Sequence, residues 1–448
     1  MKPRPPLPGG PYLVVGLARS GEAAALALRA RGEEVIGCDA GGAGERLLNA
    51  ARRLSRAGVE VHLDASGDAL AARARTLVKS PGVPWNAPLV AAARARGIPV
   101  LGELELAWRL VGNEFIAVTG TNGKTTTTEW IGHIHREAGV PVAVVGNVGT
   151  AASTLVDDVS PDTTVVCEAS SFQLEDTLSF SPEVAVLLNL APDHLDRHGS
   201  FEAYVAAKLR IFANQDEGDA AVFPADLGLG GTQARARRIA FGTGPDAMAT
   251  EAAGRLLWDG AELLAIDEIA LPGAHNRANA MAAAAACLVR GVDREAVARG
   301  LRTFRGVAHR LELVAVRDGV SYVNDSKATN VASALVGLRS FRSRVHLIAG
   351  GRAKGESFAP LAPVVAERCA AVYLIGEAAA QIEAALEPAR VPLRRLADLE
   401  RAVSAATEAA RPGDTVLLSP ACTSFDQYRD FEQRGERFRA LATGAERG

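Results

Sequence analysis

The stretch Ala117-Val-Thr-Gly-Thr-Asn-Gly-Lys-Thr-Thr-Thr127 carries the residue types that hold a polyphosphate. Gly120 and Gly123 let the backbone turn tightly against an anion. Thr121 and Asn122 sit between them, and Lys124, Thr125 and Thr126 open an amphipathic stretch with Trp130, Ile131 and Ile134. Loop amides and a helix N-terminus then point at one spot, the lysine reaches the outer phosphates, and the Thr125 hydroxyl can ligate Mg²⁺. The strict phosphate-loop pattern wants glycine at 118, where this chain has Val118. The competing reading, a glycine turn before an ordinary helix, gives no reason for a lysine followed by threonines.

Further candidates sit at the ends of apolar runs. Glu168 follows Val165-Val166-Cys167, where a carboxylate supports Mg²⁺ on a nucleotide. His194 lies in the polar loop 189–198 and is a candidate for metal or phosphate contact. Lysines are scarce: of 49 Lys and Arg only six are lysine, leaving 43 arginines. A lysine that persists is a candidate for chemistry a guanidinium cannot do, such as a compact charge on phosphate or a reactive amine. Lys124, Lys208, Lys327 and Lys354 fall in or near motifs, while Lys2 and Lys79 are as readily random survivors. Asn279, at a helix start, suits hydrogen bonds to a purine or ribose, or capping. Asp325, Lys327 and Thr329 follow a buried strand, where polar groups need a reason.

Strand and helix signals alternate throughout, which implies right-handed crossovers and parallel sheets of an α/β fold. Strands are expected at 12–15, 34–38, 76–79 and 98–101, then at 115–118, 142–145, 163–167, 184–188 and 220–223. A third set is expected at 321–323, 345–349, 371–375 and 415–418. Their C-terminal ends, where open parallel sheets bind ligands, carry Asn147, Glu168 and Asn189. Residues 226–260 read as a peripheral loop or small β region. Gly16-Leu-Ala-Arg-Ser-Gly21 followed by Asp39 matches a nucleotide fingerprint or a plain βαβ turn.

The chain has 448 residues, 48% hydrophobic and 5% aromatic, which fits α/β layers built from Ala, Val and Leu. A net charge of −3 gives no reason to expect nucleic acid or an anionic membrane as partner. Five scattered cysteines without a Cys-x-x-Cys pair suit a reducing cytosol. No apolar run is long enough to span a bilayer, so a cytoplasmic protein without membrane insertion is expected.

Together Gly120-Thr-Asn-Gly-Lys-Thr, Glu168-Ala-Ser-Ser-Phe-Gln, Asp193-His-Leu-Asp-Arg, His275-Asn-x-x-Asn-Ala, His309-Arg310, Asn324-Asp-Ser-Lys-Ala-Thr-Asn and Ser419-Pro-Ala-Cys-x-Ser resemble the Mur ligase family, in its glutamate-adding branch. The resemblance implies three domains: a Rossmann-like domain at 1–102 for a UDP-linked substrate, a central P-loop ATPase domain at 103–307, and a Rossmann-like α/β domain at 308–448 for glutamate. It implies ATP-dependent joining of D-glutamate to UDP-N-acetylmuramoyl-L-alanine through an acyl phosphate. The same reaction with L-glutamate, or another Mur or folylpolyglutamate-type ligation, is the alternative.

By the same resemblance, Gly120 through Thr126, with Asn279, Arg310 and Asp325, would hold ATP. Two Mg²⁺ ions would rest on Thr125, Glu168, His194 and a carbamylated Lys208. Lys124, His194 and Lys208 would be the catalytic set. Ser20, Asp39, Ser80, Gly82 and Asn147 would meet the UDP-substrate, although Ala40 and Gly41 depart from the family at the uridine end. Lys327, Thr329, Lys354, Ser424 and Phe431 would line the glutamate pocket. A monomer is expected, with the third domain closing over the second about a hinge near 305–312. A nicotinamide dehydrogenase built on Gly16 and Asp39 leaves the phosphate loop unexplained, and a P-loop switch needs no lysine at 208.

Overall fold

The computed structural model describes residues 2–41, 44–65, 68–147, 149–227, 235–271, 273–342, 344–353 and 355–444. They form three sheets in two compact units, Met1–Phe304 and Arg305–Gly448. The expected 307/308 division falls three residues beyond this junction, and the junction lies at the start of the expected hinge segment.

The first sheet comprises β1 (Tyr12–Val15), β2 (Val35–Asp39), β3 (Glu60–Leu63), β4 (Thr76–Lys79) and β5 (Val100–Gly102), in the order β3-β2-β1-β4-β5, all parallel. The second comprises β6 (Phe115–Thr119), β7 (Val142–Gly146), β8 (Thr164–Glu168), β9 (Val184–Leu187), β10 (Ala220–Pro224), β11 (Arg237–Phe241), β12 (Ala247–Ala252), β13 (Arg255–Trp258) and β14 (Ala261–Ala265). Its order is β14-β13-β12-β11-β10-β9-β6-β8-β7. Both sheets lie in the first unit, so the expected 102/103 boundary separates sheets within it. The helix Glu103–Leu110 bridges them: the Glu105 carboxylate accepts the backbone N–H groups of Leu178, Ser179 and Phe180 at 2.9–3.1 Å.

β6, β8 and β9 are buried along their whole length, which is why they read as unbroken apolar runs rather than alternating ones. The region 226–260 expected as a loop or small β element holds β11 to β13, with β14 directly after it, and there the parallel rule fails: β13 pairs antiparallel with both β12 and β14. Tight turns at Gly254 and Gly260, both with positive φ, leave no room for the helix a parallel crossover needs.

The second unit holds β15 (Glu312–Arg317), β16 (Val320–Asn324), β17 (Val345–Gly350), β18 (Cys369–Ile375), β19 (Leu393–Arg395) and β20 (Thr415–Leu418), in the order β15-β16-β20-β17-β18-β19. β15 pairs antiparallel with β16 and the other pairs are parallel. β3, β15 and β19 lie outside the sequence expectations. Each is an edge strand, half open to water, so its polar residues hide the apolar signal. Among the described residues no helix is long and apolar enough to cross a membrane.

Candidate active site

β6 runs into Gly120, and the helix Lys124–Glu137 starts immediately after Gly123. Gly123 has φ +82°, and a Cβ there would lie 2.4 Å from Asn279 Oδ1, so only glycine fits. Asn279, expected to touch nucleotide, is thus placed directly against the loop by the helix Ala274–Leu288.

The loop's other side is held by the strand end that follows β9. Asn189 accepts the Asn122 N–H through Oδ1 at 2.8 Å and donates to the Asn122 carbonyl at 3.0 Å. Thr121 Oγ1 donates to the Ala191 carbonyl at 3.1 Å, accepts the Ala191 N–H at 3.0 Å, and lies 3.0 Å from the Tyr204 hydroxyl. These bonds, together with the Thr121 N–H on Asn189 O at 3.1 Å, fix the loop from its outer rim.

Two lysines converge on the same loop carbonyl. Lys124 Nζ donates to Gly120 O at 2.9 Å and to Thr121 O at 2.9 Å. Lys208, from the helix Phe201–Leu209, donates to Gly120 O at 2.7 Å and lies 4.6 Å from the centre of the Tyr204 ring. It is 2% exposed. Burial first, then the Lys124 charge, pull its pKa down to about 7.

Glu168 is the last residue of β8 rather than the first after it, and pairs in register with Val118 of β6. Its carboxylate therefore stands beside the phosphate loop, buried, and accepts from Asn147 Nδ2 at 3.0 Å. The following Ser170 and Gln173 form a capping box, with Ser170 N–H on Gln173 Oε1 at 3.0 Å, so part of that motif serves to start a helix. His194 is half exposed, with φ +50°, and its ring centre is 4.9 Å from that of Phe172.

The donor set fits a phosphate-bound Mg²⁺. Thr125 offers a hydroxyl and Glu168 a carboxylate, and among the described residues no trio of His, Cys, Asp or Glu gathers to form an all-protein cage. Mg²⁺ is usually held by one or two carboxylates plus phosphate oxygens, so no cage is needed.

A cavity of about 530 Å³ opens in the same unit, at the C-terminal edge of the first sheet. Ser20, Asp39, Ser80, Gly82 and Asn147, the five residues expected at a UDP-substrate, all line it. Besides Asn147, which donates to Glu168, two have polar groups committed to backbone: Asp39 accepts the N–H of Leu17 at 2.7 Å and of Gly41 at 2.8 Å, and Ser80 Oγ donates to Gly16 O at 2.6 Å. Both shape the cavity's turns.

The chain matches the Mur ligase middle domain over residues 118–287 and the Mur ligase glutamate ligase domain over 309–422. It is 45% identical over 446 residues to the UDP-N-acetylmuramoylalanine–D-glutamate ligase of Acidobacterium capsulatum, covering 97% of this chain and 96% of the relative. The chain belongs to the Mur ligase family. The enzyme of the same name from Pelotomaculum thermopropionicum is 42% identical, covering 97% of this chain and 98% of its own. Among solved structures, this Mur ligase resembles MurC of Thermotoga maritima with a TM-score of 0.57 at 19% identity, covering 98% of this chain and 100% of that one. MurF of Thermotoga maritima, solved with ADP, gives 0.55 at 16%, covering 92% and 96%. These two likenesses concern the fold.

In the second unit of this Mur ligase, the expected residues cluster at the ends of β16 and β20. Asp325 is buried rather than presented to solvent: it accepts Ser419 Oγ at 2.8 Å and the Leu311 N–H at 3.2 Å, and burial pushes its carboxyl up to about 7. Lys327 N–H donates to His309 O at 2.9 Å and Thr329 N–H to Lys327 O at 2.9 Å. Ser424 is buried, and Phe431 begins the last helix with its ring centre 6.2 Å from His309. Arg310 belongs to this unit as well. Lys354 lies outside the described residues.

Sequence reasoning missed Arg434. It is 1% exposed and donates to Ser326 O at 2.9 Å, Ser326 Oγ at 3.0 Å and Cys422 O at 3.1 Å. It ties the two expected glutamate-binding loops together. An arginine inside a polar helix of an arginine-rich chain carries no signal of that role.

Proposed function

We propose that this Mur ligase joins D-glutamate to UDP-N-acetylmuramoyl-L-alanine at the expense of ATP, forming a C–N bond in peptidoglycan precursor synthesis. The observation that carries the reading is Asn147. It lines the cavity and donates to Glu168 beside the phosphate loop, so an acceptor seat and a nucleotide seat share one side chain. The relatives that match over the full length bear the name of this activity.

The acceptor's alanyl carboxylate attacks the γ-phosphorus, the bond to the β-phosphate oxygen breaks, and ADP leaves. The amine of glutamate then attacks the acyl phosphate carbonyl, gives up a proton, and phosphate departs. Lys124 offsets charge on the outer phosphates, and the helix N-terminus after Gly123 receives the developing anion. Mg²⁺, when bound through Thr125 and Glu168, neutralises phosphate charge. Water must be kept from the acyl phosphate while it exists, or it hydrolyses.

The finer proposal is a second Mg²⁺ held with His194 and a carbamylated Lys208. An amine with a pKa near 7 is substantially neutral at cytoplasmic pH, and the neutral amine is what adds to CO₂. Addition of the neutral amine to CO₂ forms the N–C bond and releases one proton, so the side chain ends as an oxygen-bearing anion. Arg310 and Asp325 for ATP, and Lys327, Thr329, Lys354, Ser424 and Phe431 for glutamate, are part of the same proposal. So are three functional domains, a monomeric state and a cytoplasmic setting.

The test is ADP release from ATP with UDP-N-acetylmuramoyl-L-alanine present, comparing D-glutamate, L-glutamate and diaminopimelate. D-glutamate should give the largest rate. Equal rates without any amino acid would remove the ligase reading.

A further inference from the structure

Lys79 and Asp176 have no part in the chemistry above, yet both are ionisable and their side chains are fully buried, with Lys79 Nζ 2.7 Å from Asp176 Oδ2. Lys79 ends β4 on the cavity side, and Asp176 follows the short helix after Glu168. Neither Asp176 oxygen meets a donor in hydrogen-bond geometry among the described residues. Burial pushes the Asp176 carboxyl up to about 7. Such a pair adds little to stability compared with apolar side chains of similar volume. Its placement is more informative than its energy.

Lys79 Nζ also donates to Val83 O at 2.7 Å, closing the turn 80–83 around the ammonium. Ser80, Pro81, Gly82 and Val83 of that turn all line the cavity. From the other side, Arg197 Nη2 donates to the same Val83 carbonyl at 3.3 Å and to Glu175 Oε1 at 2.8 Å. Arg197 sits three residues beyond His194. Asp176 is itself pinned: its carbonyl accepts the Gly102 N–H at 3.2 Å, and a Cβ at Gly102 would lie 2.5 Å from Asp176 Cβ. The cavity's rim is thus tied to the segment after Glu168 through Lys79 and, through Arg197, to the short helix Leu195–His198 that follows His194, within the stretch 189–198 expected as a loop.

We propose that Lys79 and Asp176 are a positioning pair that sets the cavity rim at a fixed distance from the metal-binding loops, and so aims the acceptor carboxylate at ATP. The inference rests on the cavity being the seat of the UDP-linked acceptor. It makes the pair a determinant of acceptor binding and not of nucleotide binding.

The test is the double variant Lys79→Met/Asp176→Leu, which removes both charges and leaves none unpaired. Acceptor Kd is measured by calorimetry without ATP, and KM for acceptor and for ATP by ADP release. Hydrogen exchange is followed at the Ser80 and Val83 amides, which are bonded to Val15 O and Ser80 O. The expected result is acceptor Kd and KM weakened about tenfold, ATP KM changed less than about twofold, and faster exchange at both amides. Unchanged acceptor Kd, or ATP and acceptor KM rising together, would overturn the proposal. Should the double variant not fold, Asp176→Asn, which keeps the volume, takes its place with the same measurements and the same expected and contrary results. The exchange measurement needs no ligand. If the wild type failed to bind the acceptor, the functional reading would fall, while unchanged exchange would separately sink the pair's hold on the turn.

Discussion

Lys208 places its ammonium 2.7 Å from the Gly120 carbonyl, on the loop where Lys124 also donates. Two ammonium groups on one oxygen repel each other, and the buried one gives up its proton more easily. Its pKa of about 7 lies below the ordinary 10.5. Between these values the unfolded chain holds the proton and the folded one does not. Stability contributed at this site therefore rises as pH climbs from about 7 toward 10.5, and the full penalty is present below about 7. Denaturation of wild type and Lys208→Met across that range should show the wild type gaining relative to the variant as pH increases. Parallel curves would contradict the assignment.

The same amine predicts the pH dependence of turnover. Carbamylation needs the neutral form, so activity without added bicarbonate should fall as pH drops below about 7, and bicarbonate should restore part of it. Lys208→Arg should be inactive and insensitive to bicarbonate. Full activity in that variant would remove the carbamate.

At Gly123 the argument is steric. Alanine there would meet Asn279 Oδ1 at 2.4 Å and would hold φ +82° with a side chain. Gly123→Ala should cost about 1–2 kcal/mol of folding stability from the backbone alone. ATP affinity should fall further as Asn279 is pushed away. Calorimetry with ATP and a urea titration measure both.

How much of the fold and site is legible in the sequence depends on where each signal resides. The phosphate loop is legible because its glycines, lysine and threonines are consecutive, and Val118 in place of glycine fits as a buried residue of β6 paired with Glu168. The cavity residues are legible as strand-end positions, although Asp39 and Ser80 turn out to bond backbone. Lys79 stays ambiguous because its partner lies 97 positions away, beyond any local pattern. Arg434 is invisible because it recognises carbonyls, which every residue has. β3, β15 and β19 escape notice because edge strands need not be apolar on both faces.

Arg434 gives the next expectation. Burial draws its pKa down to about 10, so it is charged at neutral pH, and its donors hold the Ser326 and Cys422 carbonyls. Arg434→Met strands those acceptors, at about 1–3 kcal/mol for each that stays buried and unpaired. Glutamate KM should rise while ATP KM stays near its wild-type value. A variant with unaltered melting and unaltered glutamate KM would show the loops need no such tie.

Asn147→Ala should raise the Mg²⁺ requirement and the acceptor KM together, each by roughly 10-fold to 100-fold, because one side chain serves Glu168 and the cavity. Separate titrations of Mg²⁺ and acceptor resolve the two. A change in only one would mean that the seats are independent.

The most direct measurement follows oxygen. UDP-N-acetylmuramoyl-L-alanine labelled with ¹⁸O in its alanyl carboxylate is incubated with ATP and D-glutamate, and the products are weighed by mass spectrometry. An acyl phosphate on the path delivers one labelled oxygen to inorganic phosphate as the amide forms. Amide with unlabelled phosphate, or phosphate released with no amide, would contradict the account.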